Sequence, residues 1–339
     1  MLATVVKADP APVGDIRLQE TSLYTHPRLC ASVDPIKGRL FRASSPISKG
    51  SIVLVDRSYS TIPSADPHNP DALVCSNATC SRRITKTQAA VVQCANLCFE
   101  HVAWCNTVCQ SADAQRHDLE CQWLRTHSKK LRSEEGDYEF ITIWHIVRIL
   151  ATRCLDVIAG QLEDWDAVDQ CCAYLDSWPE GQVILWKRLV AQYLNKDALD
   201  CTLTPEEVLS LLVKEETNTF SLYPSMTGPL EAGENRPLRG TPYGIGIFPR
   251  AARFNHSCTP NVSHKPDLHN RMVFTAARDI ATGEECFITY FDLVGKQTVT
   301  ERQNWTRDNF RFACTCSRCE EELAVENMSR LDALPFGDF

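Results

Sequence analysis

The sequence predicts an α+β protein of small sheets, a helical middle and zinc-stapled segments, and three observations carry this. Short apolar, β-branched runs lie between Gly and Pro breakers near residues 37–55 and again after Asn218, which is the texture of strands and turns. Between about Arg132 and Glu216 the apolar residues instead recur at three and four, as a buried helix face does. Most of the 17 cysteines fall in two stretches, Cys75 to Cys121 and Cys258 to Cys319.

At 339 residues with 44% apolar content, the chain can bury a core and has room for two or three domains. No apolar run approaches the roughly 20 residues of a membrane helix. Met1 to Asp15 holds no sustained apolar segment, so it reads as a disordered Ala/Pro arm and not as a secretory signal. The cysteines then belong in a reducing compartment, where metal ligation is favoured over disulfides; nucleus and cytoplasm both fit. The net charge of −8 argues against gripping nucleic-acid phosphates as the main task.

Taken in order, an arm covers residues 1–34. Lys37 to Val55 reads as a glycine-containing turn followed by a strand pair. A Cys/His block spans 73–122, after a first sheet segment over 35–72. A helical insert follows over 123–216: Phe140, Ile141, Trp144, Val147 and Leu150 mark one helix and Gly181 to Leu194 a second. A third helix starts at Thr204-Pro205-Glu206-Glu207, where Thr caps, Pro fills the first turn and Glu207 completes a capping box. A second sheet segment covers 217–300, with strands at Val273–Ala276 and Cys286–Tyr290. Residues 301–322 form a metal-binding segment in which Phe310 and Phe312 alternate as a buried strand face would, and 323–339 is a tail.

The cysteines carry the chemistry. Cys314, Cys316 and Cys319 lie within six residues, too close for easy disulfide geometry. They suit one tetrahedral zinc, which wants four ligands, and Cys258 is the fourth. The earlier block holds Cys75, Cys80, Cys94, Cys98, Cys105, Cys109, His117 and Cys121, four close pairs within 47 residues. Eight soft ligands divide into two four-coordinate zincs, whose binding would supply much of the folding free energy. His145 and the remaining histidines read as core or surface residues. Cys30, Cys154, Cys171, Cys172, Cys201 and Cys286 have no partner motif and read as buried small hydrophobes.

Two stretches resemble a known family. Asn255-His256-Ser257-Cys258-Thr259-Pro260-Asn261, with the Cys-x-Cys-x-x-Cys tail, resembles the SET-domain protein lysine methyltransferases. The Cys/His block, including Trp104 to Gln110 and Arg116 to Cys121, resembles a MYND finger. Together they resemble the SMYD family, in a short form lacking that family's C-terminal helical-repeat domain. The resemblance implies a SET β-fold of small sheets with pseudoknot-like C-terminal threading, split by the finger and a helical insert and closed by a zinc-binding post-SET tail. It implies that Cys75, Cys80, Cys105 and Cys109 share one zinc while Cys94, Cys98, His117 and Cys121 share another, making three zincs per chain. Finger loops are wider here than usual, at Cys75-x4-Cys80 and Cys94-x3-Cys98.

The resemblance also implies an enzyme that transfers a methyl group from S-adenosylmethionine to a lysine of a histone or non-histone protein. Tyr290 matches the catalytic tyrosine, whose hydroxyl sits beside the transferring methyl. Lys37, Gly38 and Arg39 match the cofactor loop, and Asn255, His256, Asn218 and Phe312 the remaining cofactor contacts. Phe220 and Phe310, with Tyr290, match the lysine channel. Partners implied are a protein with an accessible lysine and a protein at the MYND finger, with no nucleic-acid or membrane signal. Two positions depart from the family pattern. Leu40 replaces the loop's second glycine, which is expected to weaken cofactor binding. Phe310 stands where tyrosine is common, which is expected to permit more than one methyl addition. The rival readings are a catalytically silent SET/MYND adaptor and, with less support, a zinc transcription factor, which would need a basic face.

Overall fold

Asp34 sets the first hairpin: its Oδ1 accepts from the backbone N–H groups of Ile36 (2.9 Å) and Lys37 (3.0 Å), and Gly38 takes the left-handed φ of +73° that closes the turn. The computed structural model describes residues 23–64, 72–85, 88, 90–195, 203–229 and 239–332. Strand β1 (Tyr24–Thr25) precedes the hairpin of β2 (Leu29–Asp34) and β3 (Gly38–Ala43), followed by β4 (Ile52–Asp56) and β5 (Ser60–Pro63). Residues 24–25 and 29–34 are therefore strand, within the span expected as an arm. The expected strand pair of 37–55 is also rearranged: β3 pairs with β2, while β4 pairs with β1 and a distant strand.

The finger follows as two small hairpins, β6 (Ala72–Val74) with β7 (Arg83–Thr85) and β8 (Val92–Gln93) with β9 (Ala103–Trp104). Helix α1 (Thr107–Glu135) starts inside the finger, capped by Asn106, and runs on as the first helix of the insert. The boundary expected at 122 thus falls within one continuous helix. Helices α2 (Asp137–Ala159), α3 (Glu163–Asp169), α4 (Glu180–Tyr193) and α5 (Pro205–Asn218) complete the insert. The capping box is present, with Glu207 N–H donating to Thr204 Oγ1 (3.2 Å) and Thr204 N–H to Glu207 Oε2 (2.7 Å).

The chain then returns to strands: β10 (Thr219–Leu222), β11 (Gly244–Ile247), β12 (Asn255–His256), β13 (Val262–Pro266), β14 (Met272–Ala276) and β15 (Phe287–Ile288). These make an antiparallel sheet in the order β1-β4-β14-β13, a second in the order β10-β11-β5, and a parallel pair β12–β15. Central β11 reads Gly-Ile-Gly-Ile because its neighbours approach closely; a Cβ on Gly244 would lie 2.7 Å from the Ile62 carbonyl oxygen. Helices α6 (Val299–Phe310) and α7 (Ser317–Asp332) end the described chain. Phe310 closes a helix, so the expected strand face at 310–312 does not form.

Two large cores result. One packs Trp123, Phe140, Trp144, Trp186 and Leu212 of the helices with finger residues Cys75 and Cys94. The other joins Phe41, Phe248, Phe254 and Phe274 between the sheets. Side chains of this kind stabilise by about 1.5–3 kcal/mol each when fully buried. A buried ionic net ties α1 and α2 to β5. Arg116 bonds Asp113 and Glu120, and Arg148 bonds Glu120 Oε1 (2.7 Å) and the Thr61 carbonyl of β5 (2.8 Å). Burial alone would raise the Glu120 carboxyl, but the two guanidinium groups outweigh it and hold it well below the usual carboxylate range. Cys171 and Cys286 are buried as expected; Cys30 is exposed, because β2 belongs to a two-stranded sheet, and Cys201 lies outside the described residues. No described helix is long and apolar enough to cross a membrane.

Candidate active site

Three four-residue clusters of metal-ligand type form among the described residues: Cys75, Cys80, Cys105 and Cys109; Cys94, Cys98, His117 and Cys121; Cys258, Cys314, Cys316 and Cys319. Within each, the ligand atoms lie within 4.8 Å of one another. Sulfurs held at ~2.3 Å around a tetrahedral zinc are ~3.8 Å apart. The structure has Cys80–Cys105 at 3.8 Å, Cys94–Cys121 at 3.7 Å, and Cys258 at 3.8 Å from Cys314 and 3.6 Å from Cys319. Glu120, which sequence reasoning missed, stands 3.3 Å from His117 Nδ1 and leaves Nε2 toward Cys94 and Cys98, the outer support a metal-binding histidine needs.

The C-terminal cluster backs onto the Asn-His turn. Asn261 pins β15 to that turn: its Nδ2 donates to the Glu285 carbonyl (2.8 Å) and its Oδ1 accepts from Phe287 N–H (2.7 Å). This brings Tyr290 beside His256. His256 Nδ1 accepts from Tyr290 N–H (3.2 Å), and its Nε2 lies 3.4 Å from Cys258 Sγ. Burial pushes the imidazole down to about 4, so it is neutral at pH 7. One side chain thereby touches the turn, the strand of Tyr290 and the sulfur cluster.

The Tyr290 hydroxyl donates to the Phe254 carbonyl (2.9 Å), and burial pushes its pKa up. Its ring meets Phe310 at 4.9 Å and Phe312 at 6.4 Å between centroids. Tyr290, Phe310, Phe220 and Asn218 share a cavity of about 310 Å³. Phe254, Trp178, Trp305 and His264, none of them anticipated, also line it. Tyr138 and Trp305 at its rim are exposed, while Phe254 and His264 are buried. No local pattern marks these four; aromatic content alone would not have separated them from core.

The other expected site residues gather with varying fidelity. Lys37 Nζ and Asn255 Nδ2 both bond Glu285, each at 2.9 Å, so a buried carboxylate clips the first hairpin to the Asn-His turn. Arg39 Nη2 is buried with no hydrogen-bond partner, a cation suited to an anionic group. Leu40 is completely buried, so its side chain turns inward and does not line an open cleft. The Asn218 amide ends α5 and donates to the carbonyls of Cys172 (2.9 Å) and Lys214 (2.8 Å). It brackets two segments just before β10, which carries Phe220. Phe312 follows Arg311, whose left-handed φ of +63° ends α6, and is 37% exposed.

With this geometry in view, relatives are informative. "SET domain-containing protein SmydA-8, isoform A" of Drosophila melanogaster is 25% identical over 95% of this chain and 61% of its own length. "Histone-lysine N-methyltransferase set5" of Schizosaccharomyces pombe is 37% identical over 37% of this chain and 41% of its own length. The chain thus spans less than two thirds of these curated relatives. Among solved structures, Rubisco LSMT bound to AdoMet shares 12% identity at a TM-score of 0.40, covering 85% of this chain and 52% of that one, too loose a likeness to build on. The SET domain family matches residues 38–291, a span that holds β3, the Asn-His turn and Tyr290, and the chain belongs to that family.

Proposed function

We propose that the chain is a protein-lysine N-methyltransferase that uses S-adenosylmethionine, with a histone or non-histone protein as substrate. The observation that carries this is the Tyr290 hydroxyl, held by the Phe254 carbonyl on the wall of an aromatic cavity directly beside the His256 turn. When bound, S-adenosylmethionine would supply a sulfonium methyl group open to attack by a neutral amine, with the thioether sulfur as leaving group. The Gly38 turn, Asn255, His256, Phe312 and Arg39, whose Nη2 has no hydrogen-bond partner, are the residues suited to hold it, Arg39 taking its carboxylate end.

The chain's own residues then have three tasks. Phe220, Phe310 and Phe254 desolvate the lysine stem, which favours the uncharged amine. The Tyr290 phenol stays protonated at pH 7 because burial raises its pKa, so it orients the amine and does not act as a base. The cluster of Cys258 with Cys314, Cys316 and Cys319 fastens the α6–α7 tail behind His256. Three zinc ions per chain fit the three clusters. A protein partner at the finger fits the groove between its Leu97–Glu100 loop and α1 at Lys129 and Arg132. The free thiolates required suit a reducing compartment, nucleus or cytoplasm.

Incubation with labelled methyl donor and a cell lysate tests the reading. Label should enter lysine, and Tyr290→Phe should lower the rate by about a hundredfold through loss of orientation. Equal label from both chains would remove the assignment of Tyr290. A silent adaptor would bind no S-adenosylmethionine in calorimetry.

A further inference from the structure

A lysine side chain reaches the cavity as an ammonium ion with a pKa of about 10.4, and an ammonium has no lone pair to attack a methyl group. Some group must receive its proton. Several side chains lining the cavity can titrate, and most are unsuited. Tyr290 is already protonated and its phenol is pushed further up by burial. His264 is buried and its imidazole is pushed down to about 3, too weak a base. Arg239 is a cation. Asp308 lies exposed to water, outside the desolvated part of the cavity.

Glu216 is different. It is half-buried between rim and floor, at the end of α5, two residues before Asn218 and four before Phe220. Its carboxylate is fixed in place by α2: Tyr138 Oη donates to Oε2 at 2.6 Å and Thr142 Oγ1 to Oε1 at 3.3 Å. We propose, on the strength of the methyltransferase reading, that Glu216 takes the proton from the ammonium of the incoming lysine. The Nζ–H bond breaks with its electron pair left on nitrogen, and the proton bonds a Glu216 oxygen. That pair then forms the new N–C bond while the C–S pair returns to sulfur, leaving a methylated ammonium. Glu216 passes its proton to water at the rim before the next turnover.

In water a carboxylate beside an ammonium would keep both charged. In a desolvated cavity the neutral acid and amine avoid the cost of two buried charges. The surroundings already move Glu216 that way. Burial and the adjacent Glu215 raise its carboxyl to about 7, with Glu139 adding to this and the Tyr138 and Thr142 hydroxyls opposing it. Arg311 and Asp308, at the end of α6, face it from the other side. A base with a pKa near the working pH is the effective kind.

The test compares initial methyl incorporation into the labelled lysate substrate by wild type and Glu216→Gln at pH 7 and pH 9.5. The variant should lose about a hundredfold at pH 7 and come within a few-fold at pH 9.5, where water itself delivers neutral lysine. S-adenosylmethionine affinity should be unchanged in calorimetry. An equal loss at both pH values, or none at pH 7, overturns the proposal. Tyr138→Phe, at an exposed ring, removes a donor that favours the carboxylate. It should move the low-pH limb of the rate profile upward, and an unmoved limb counts against Glu216. A wild-type chain that neither binds the donor nor transfers label removes the methyltransferase reading itself; failure of the Glu216 variants alone leaves that reading standing.

Discussion

Glu285 shows how one side chain can organise a site without belonging to it. Its two oxygens hold Lys37 and Asn255, and Lys37 is 248 positions away in sequence. The Lys37 side chain is 47% exposed, so solvent screens its charge and the ion pair by itself contributes little. The bond to Asn255, partly shielded, matters more for the shape of the turn. Glu285→Gln keeps an acceptor for Asn255 but gives Lys37 no opposite charge. It should weaken S-adenosylmethionine binding by about tenfold with kcat less affected, read by calorimetry and steady-state kinetics. Unchanged affinity would show that the clip does not set the cofactor loop. Nothing local in the sequence distinguishes Glu285 from Glu284.

Between elements, His145 and Glu215 meet where α2, α5 and β5 pack together. His145 Nδ1 lies 2.8 Å from Glu215 Oε1, and His145 Nε2 lies 3.3 Å from the Ser60 carbonyl. Burial raises the Glu215 carboxyl to about 8 and lowers His145 to about 3. The consistent arrangement at pH 7 is a protonated Glu215 donating to a neutral His145, which donates to Ser60. The signs of the two pH effects differ. The raised Glu215 contributes stability that is complete below its unfolded value of about 4.5 and is lost as pH climbs through 8. The depressed His145 contributes stability that is complete above about 6.5 and is lost as pH falls toward 3. The slopes oppose each other between 4.5 and 6.5, so the decline appears between pH 6.5 and 8. Melting temperature should fall across that interval in wild type and stay nearly level in Glu215→Gln, whose amide can donate to His145 at every pH. Parallel slopes for the two chains would refute the shared proton. The α5 start was legible because a capping box is chemistry within four residues. Helix α1 was not, because its first half reads as ligand spacing and its polar surface hides the apolar face.

Across the whole molecule, the metal clusters differ in how they are embedded. Cys75, Cys94, Cys98 and Cys121 sit within the large helical core, packed with Trp104 and Trp123. Metal loss from the finger should therefore loosen the insert as well. The C-terminal cluster packs with a small separate core of Phe291, Leu293 and Val299. Cys316→Ser should lower zinc content from three ions per chain to two and abolish S-adenosylmethionine binding, while the cooperative melt of the remainder survives. Elemental analysis with calorimetry decides this; full cofactor binding at two zincs would separate the tail from the site.

The close cysteine pairs, the Thr204 capping box and the Asn-His turn followed from sequence alone, because spacing of a few residues carries their chemistry. The sharing of the finger ligands between two sites came from family resemblance. Strand partners, the burial of Leu40, the bracket made by Asn218, and the convergence of Glu216, His264 and Trp178 on one cavity were decided by tertiary structure. Each depends on segments tens to hundreds of residues apart, and no local preference records which of them will pack together.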